Sequence, residues 1–232
     1  MEAGRLSALL ADLDEDRRCG VDVGARLCNA SAELIGVSGA GITLMTEGDH
    51  RGSLGASDSV IRLVEELQFT LGEGPCIDAC LFNRPVFVPD LRAADPNRWP
   101  AFTSAAIDAG VGALFGFPLP SADSNLGALS LYTDRPGTLQ PIQVVDAARL
   151  AGVISRTVLG LQADAPVGTL AHELETVLDH RAVVHQASGM VSAQLEIAVD
   201  DALVRIRARS YIESRPVNDV ALDIVDCRIR LD

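Results

Sequence analysis

The chain has 232 residues, 48% of them hydrophobic, enough for one large domain or for an ordinary domain plus a small module. All 19 basic residues are arginine, and the lack of lysine excludes a Walker A phosphate loop, a Schiff-base lysine and a pyridoxal site. A net charge of −13 argues against a nonspecific nucleic-acid coat while leaving room for a local arginine patch.

No run of about 18 apolar residues appears, so no membrane span is expected. The stretch over residues 1–19 reads as a helical segment. Its acidic residues and the lack of a small-residue cleavage site argue against a signal peptide, so a cytoplasmic protein is expected. The five cysteines (Cys19, Cys28, Cys76, Cys80 and Cys227) are odd in number and scattered, and read as free thiols. Cys76 and Cys80 could share a helix face, but two ligands do not make a metal centre. Neither a metal nor a cofactor is expected.

In chain order, Val23, Leu27, Ala30 and Leu34 fall at helical spacing, and Gly36 supplies a stop. Residues 40–46 (AGITLMT) read as a strand, with a second strand through GSLGAS after the turn EGDH. A helix over 59–68 would turn Val60, Leu63, Val64 and Leu67 inward. The segment RPVFVPDL is a short strand closed by Pro89, and residues 99–110 a helix ended by Gly110. ALFGFPLP and LGALSLYT are two apolar strands joined by a polar turn. A long helix from about Pro141 to Leu161 closes the domain. Paired strands with helices between them predict an α+β domain whose sheet is antiparallel.

Two readings of the loop LGEGPC (71–76) stand side by side. Gly72 and Gly74 permit positive φ and Pro75 can start a helix, which is turn chemistry. Alternatively the loop lids a pocket, with backbone N–H groups near Gly74 and Cys76 facing a ligand. Cys76 would lie at a helix N-terminus, where a partial positive charge lowers a thiol pKa. Trp99, Phe115 and Phe117 are either pocket lining or core. None of the four histidines pairs with a serine or cysteine in a nucleophilic arrangement, so the chain is not expected to be an enzyme.

The stretches LGEGPCIDACLFNRPVFVPDL, RWPAFTSAAIDAGVGALFGFPL and LGALSLYTDRPGTL together resemble a GAF domain, the small-molecule sensor fold. The resemblance implies a six-stranded antiparallel sheet with flanking helices and a ligand-sized pocket on one face. Gly74, Cys76, Trp99, Phe115 and Phe117 are its candidate lining, and the ligand would be a small molecule of unknown identity. The sensor domain is placed at 20–165, because Ala165-Pro166-Val167-Gly168 interrupts two helical patterns. Charge does not distinguish the two sides: 12 arginines against 21 acids precede the break (net −9), and 7 against 11 follow it (net −4).

Residues 166–232 form an all-α three-helix module. Leu174, Val177, Val184 and Val191 keep heptad register, with Arg181 and Ser188 interrupting it. That seam predicts a parallel two-stranded coiled coil and hence a homodimer. A second stripe, Val183, Ala187, Met190 and Gln194, suits packing onto the helices downstream. In the next helix Ala202, Leu203, Ile206 and Ser210 form the inner side. The turn ESRP puts Ser214 or Arg215 at the N-cap of a third helix carrying Val217, Val220, Ala221, Ile224 and Val225 inward.

Arg181, HQASGMV (185–191), DDALVRIRARS (200–210) and VNDVALDIV (217–225) resemble the ANTAR domain, an RNA-binding module of antitermination regulators. The resemblance implies hairpin loops in nascent transcripts as partner, bound through Arg181, Gln186, Ser188, Gly189, Arg205, Arg207, Arg209 and Tyr211. Ser188 stands where the family carries lysine, which removes a phosphate-directed charge. Two readings follow: a signal-responsive regulator that binds RNA to control transcription termination, or a sensor and dimerisation protein whose tail no longer binds RNA. A DNA-reading helix-turn-helix fits poorly, because the third helix faces aspartates outward.

Overall fold

A computed structural model of the protein describes residues 23–46, 49–121, 125–163, 172–213 and 215–231, and of residues 46, 49–51, 172–182 and 200 the backbone alone. The expected helical segment over 1–19 and the boundary near 165 lie outside the described residues.

Helix α1 (Val23–Ile35) leads into strands β1 (Gly39–Thr46) and β2 (Asp49–Ala56). Helices α2 (Ser59–Leu71) and α3 (Pro75–Phe82) follow, then β3 (Val86–Val88), α4 (Pro100–Asp108), the paired strands β4 (Ala113–Pro120) and β5 (Asn125–Thr133), and α5 (Pro141–Ala163). Among the described residues the sheet has five strands, in the order β2-β1-β5-β4-β3, and every neighbouring pair is antiparallel. The implied sixth strand is not among them.

The sheet is covered on both faces. Helices α1 and α5 bury Leu27, Leu150 and Ile154 against Ile42, Phe115, Phe117, Leu129 and Leu131. On the other face α2, α3 and α4 bury Ile61, Val64, Ala79 and Phe102 against Leu114 and Tyr132. Successive residues of a strand point to opposite faces, so Phe115 and Phe117 share one face while Leu114 and Gly116 share the other. Phe115 and Phe117 therefore lie across the sheet from Cys76, not beside it.

The inner stripe of α2 also differs from the expected one. Ile61, Val64, Glu65 and Gln68 are buried, whereas Leu63 is 43% exposed and Val60 and Leu67 are intermediate. The helix is started by Asp58, whose Oδ1 accepts hydrogen bonds from the backbone N–H groups of Val60 (2.7 Å) and Ile61 (2.9 Å). Its other oxygen accepts from the Tyr132 hydroxyl at 3.3 Å. We expect Asp58→Ala to cost about 1–2 kcal/mol through the lost cap. Urea unfolding checks this, and an unchanged midpoint would contradict the assignment.

The C-terminal helices are α6 (His172–Leu195), α7 (Val199–Glu213) and α8 (Val217–Val225). They close on a core of Val184, Ala187, Val191, Ala202, Ile206, Val220, Ala221 and Ile224. Val184 and Val191, expected on a seam between two chains, are thus spent inside the bundle of one chain: residues 184, 187, 191 and 195 form a single helical stripe aimed at α7 and α8. Leu174 and Val177, the rest of the seam, have side chains outside the described residues. Pro216, rather than Ser214 or Arg215, occupies the N-cap position of α8, with no side-chain cap bond. Arg215 bridges Glu213 (3.1 Å) and Asp223 (2.6 Å), tying the end of α7 to α8. The bundle docks on the first domain, α7 facing α2 and α6 running beside β2.

Candidate functional site

The centre of the sheet face under α2 and α3 carries small residues: Gly41 and Thr43 on β1, Ser130 on β5 and Gly116 on β4. A side chain at Gly41 would press on Ile61 and Glu65, and one at Gly116 would collide with the Pro75 carbonyl. The space gained is taken by polar groups from the helices. Ser130 donates its hydroxyl to Glu65, and the Cys76 Sγ lies 2.7 Å from Ser130 Oγ. Gln68 Oε1 accepts from the Cys76 backbone N–H at 2.9 Å. Glu65, Gln68, Cys76, Ser130 and Thr43 are all buried, and Glu65 Oε2, Gln68 Nε2 and Thr43 Oγ1 have no hydrogen-bond partner among the described residues. A buried polar atom left so costs about 1–3 kcal/mol, so the cluster is held at some expense to stability.

Burial raises the Glu65 carboxyl to about 7, with the Ser130 hydroxyl pulling it back down. Burial also drives the Cys76 thiol well above its ordinary range, and the nearby Glu65 adds to the rise. Cys80 is pushed up to about 12 for the same two reasons. The helix N-terminus at Cys76 thus loses to desolvation, and both thiols stay protonated near neutral pH. Among the described residues no group of three or more His, Cys, Asp or Glu is placed to hold a metal ion.

The LGEGPC loop is built from turn and cap chemistry. Gly72 (φ 67°) ends α2 in the left-handed region, donating to the Gln68 carbonyl. Gly74 (φ 131°) passes so close to Gln68 that a side chain there would meet its amide. Glu73 reaches away to cap α4, accepting from Ala101 (3.1 Å) and Phe102 (3.2 Å).

On the bundle, α7 divides its arginines. Consecutive residues turn about 100°, so Arg205 and Arg209 occupy one flank and Arg207 the opposite one. Arg205 is exposed, and Arg209 is exposed but ion-paired with Glu213 at 2.6 Å. Between the flanks an outward strip carries Val204, Ala208 and Tyr211, the last 56% exposed. Arg207 instead turns toward the first domain, its guanidinium 5.9 Å from the Phe69 ring centre.

Residues 21–158 match the family described as the GAF domain, and residues 172–225 match the ANTAR domain. The chain is a GAF–ANTAR protein. Its fold is similar to the GAF domain of a phosphoenolpyruvate-protein phosphotransferase from Acinetobacter, at 13% identity and a TM-score of 0.53, covering 72% of this chain and 98% of that one. The corresponding domain from Coxiella burnetii gives 11% identity and a TM-score of 0.50, covering 70% and 98%. Likeness at such identities speaks for the fold alone. No curated protein matches the sequence. A GAF sensor domain followed by an ANTAR domain fits a signal-gated regulator. No described helix is long and apolar enough to cross a membrane.

Of the expected GAF-domain lining, Gly74 and Cys76 adjoin the polar cluster. Trp99 lies in the core at the start of α4, edge-on to Phe102 with Arg98 stacked over it, and Phe115 and Phe117 belong to the opposite sheet face. Glu65, Gln68, Thr43 and Ser130 were not anticipated. The available signal was that Ile61, Val64, Glu65 and Gln68 follow the same i, i+3, i+4, i+7 spacing as an apolar stripe. In the ANTAR domain Gln186 and Gly189 are exposed on α6. Ser188 is not: it is 1% exposed and donates to the Val184 carbonyl at 2.8 Å. It lies on the helix face turned to α7 and α8, so it contacts no RNA as the bundle stands. The Arg181 side chain lies outside the described residues.

Proposed function

We propose that this protein is a cytoplasmic, non-catalytic regulator that binds hairpin RNA through its ANTAR domain to control transcription termination. Binding is gated by a small ligand at the GAF domain. The observation that carries the reading is the surface of α7, where Arg205 and Arg209 flank an exposed Val204–Ala208–Tyr211 strip in a domain whose family binds RNA. Cations beside an exposed aromatic suit a loop whose bases are splayed from the stem. Gln186 and Gly189 on α6 extend the candidate surface. The sensor ligand would be a small polar molecule that satisfies Glu65 Oε2, Gln68 Nε2 and Thr43 Oγ1. Pairing of two chains through Leu174 and Val177 would let two hairpins bind together.

The test is filter binding of a randomised-loop RNA hairpin pool to the full chain across a salt series. Arg205→Ala/Arg209→Ala is expected to weaken binding by about tenfold or more and to flatten the dependence of log affinity on log salt by roughly 2, one for each lost phosphate contact. An unchanged slope would remove these two arginines from the interface.

The second reading, a sensor whose ANTAR domain no longer binds RNA, is favoured by one observation. Ser188 is sealed in the bundle and Arg209 is engaged by Glu213, so two of the expected RNA-binding residues are otherwise employed. Retention of the hairpin pool no better than that of unstructured RNA at low salt would support it.

A further inference from the structure

We propose that the GAF domain masks the RNA-binding domain in this arrangement by covering Arg207 with helix α2, and that α2 is the lever through which the sensor core uncovers it. The proposal rests on the RNA-binding reading above.

The contact is formed by the C-terminal half of α2. Phe69, a GAF-domain residue, packs against the ANTAR core of Val184, Ala187, Ile206 and Val220. Arg207 lies over its ring, and the Arg207 Nε is buried. At the end of α2, a side chain on Gly72 would come within 3.0 Å of the Arg207 Nη1. Burial raises the carboxyl of half-buried Glu66, and the charge of Asp219 on α8 adds to the rise, a like-charge interaction across the dock that works against closure. The interface therefore combines an attraction of cation and aromatic with a repulsion between carboxylates.

The same two turns of α2 serve the sensor core. Glu65 and Gln68, on the flank about 100° round the helix from Glu66 and Phe69, carry the hydrogen bonds to Ser130 and Cys76. A ligand that took up the buried polar atoms of this cluster could not leave Gln68, or the Gly72–Gly74 loop pressed against it, where they are. Any displacement of α2 moves Phe69 as well. The ligand shifts the arrangement only by its preference for the undocked form, so the lever works in proportion to that difference.

Two variants of the full chain, both on the GAF side and neither removing an RNA contact, have opposite expected signs. Phe69→Ala removes the ring under Arg207. It should speed backbone hydrogen exchange over residues 203–211 and tighten retention of the randomised-loop hairpin pool by about fivefold or more. Glu66→Arg replaces the repulsion with an ion pair to Asp219. It should slow that exchange and weaken RNA retention, although a new cation acting by charge alone would strengthen it. If exchange responds and RNA affinity stays at the wild-type value in both variants, masking is overturned while the RNA-binding reading stands. If neither variant alters exchange over 203–211, the dock is not held by these residues and the proposal falls. If no form of the chain retains RNA, the RNA-binding reading fails and masking fails with it.

Discussion

Glu65→Gln is expected to stabilise the protein at pH 8 and to leave it nearly unchanged at about pH 4. The carboxyl is raised from its ordinary value of 4.5 to about 7 in the folded chain. Below about 4.5 both the folded and the unfolded chain hold the proton, and Glu65 makes no pH-linked contribution. As pH rises the unfolded chain ionises first, so the folded state binds more protons and loses relative stability. The full penalty is in place above pH 7. A difference of about 2.5 pKa units at 1.36 kcal/mol each gives roughly 3 kcal/mol. Glutamine keeps an oxygen to accept from Ser130 and carries no charge to bury, so it escapes the penalty. Urea midpoints of the two proteins should coincide near pH 4 and separate progressively toward pH 8. Midpoints that stay parallel across the range would mean that Glu65 is ionised in the fold at its ordinary pKa.

The penalty explains why this residue was hard to see in the sequence. Reading α2 as an amphipathic helix selects the stripe that leaves charges outside, which gives Val60, Leu63, Val64 and Leu67. The folded helix is rotated to place Glu65 and Gln68 inward, opposite Gly41 and Ser130. Local preference and tertiary placement disagree at the positions that carry polar chemistry, as expected where a site is held against stability. Elements whose chemistry is local were legible. Gly36 after α1 and the stripe Val217, Val220, Ala221 and Ile224 on α8 sit where spacing and capping put them.

What could not be read was which side of an element faces which neighbour. Strand β4 is buried on both faces, so its sequence ALFGFPLP shows no alternation to separate Phe115 and Phe117 from Leu114 and Gly116. Helix α6 poses the same difficulty in another form. A heptad pattern records only that a stripe is apolar, and the stripe through Val184 and Val191 serves equally well against a second chain or against the chain's own α7 and α8. Ser188 belongs to that stripe, which is why a polar residue at a position expected to bind RNA is found turned to the core, its hydroxyl returned to the preceding turn of backbone.

Val184→Glu separates the two uses of the stripe. A seam between chains predicts loss of the dimer with the helices intact, because the glutamate would face solvent once the partner left. In the fold described here Val184 is 3% exposed and surrounded by the ANTAR core, so the substituted carboxyl has no water to turn to. Losing the burial of the isopropyl group costs about 1.5 kcal/mol. Holding a buried glutamate neutral at pH 7 costs about 1.36 kcal/mol for each unit above its ordinary pKa of about 4.3, or roughly 3.5 kcal/mol. The sum of about 5 kcal/mol is comparable to the whole stability of a bundle this small, at roughly 0.05–0.15 kcal/mol per residue. The expected outcome is a chain whose ANTAR domain is unfolded at pH 7 while the GAF domain still melts cooperatively. It would be seen as a loss of helical circular dichroism before the main thermal transition. At about pH 4.5 the ionisation part of the cost falls away, and part of the lost helical signal should return. Full helicity at pH 7 together with a halved mass by light scattering would instead place Val184 on the seam.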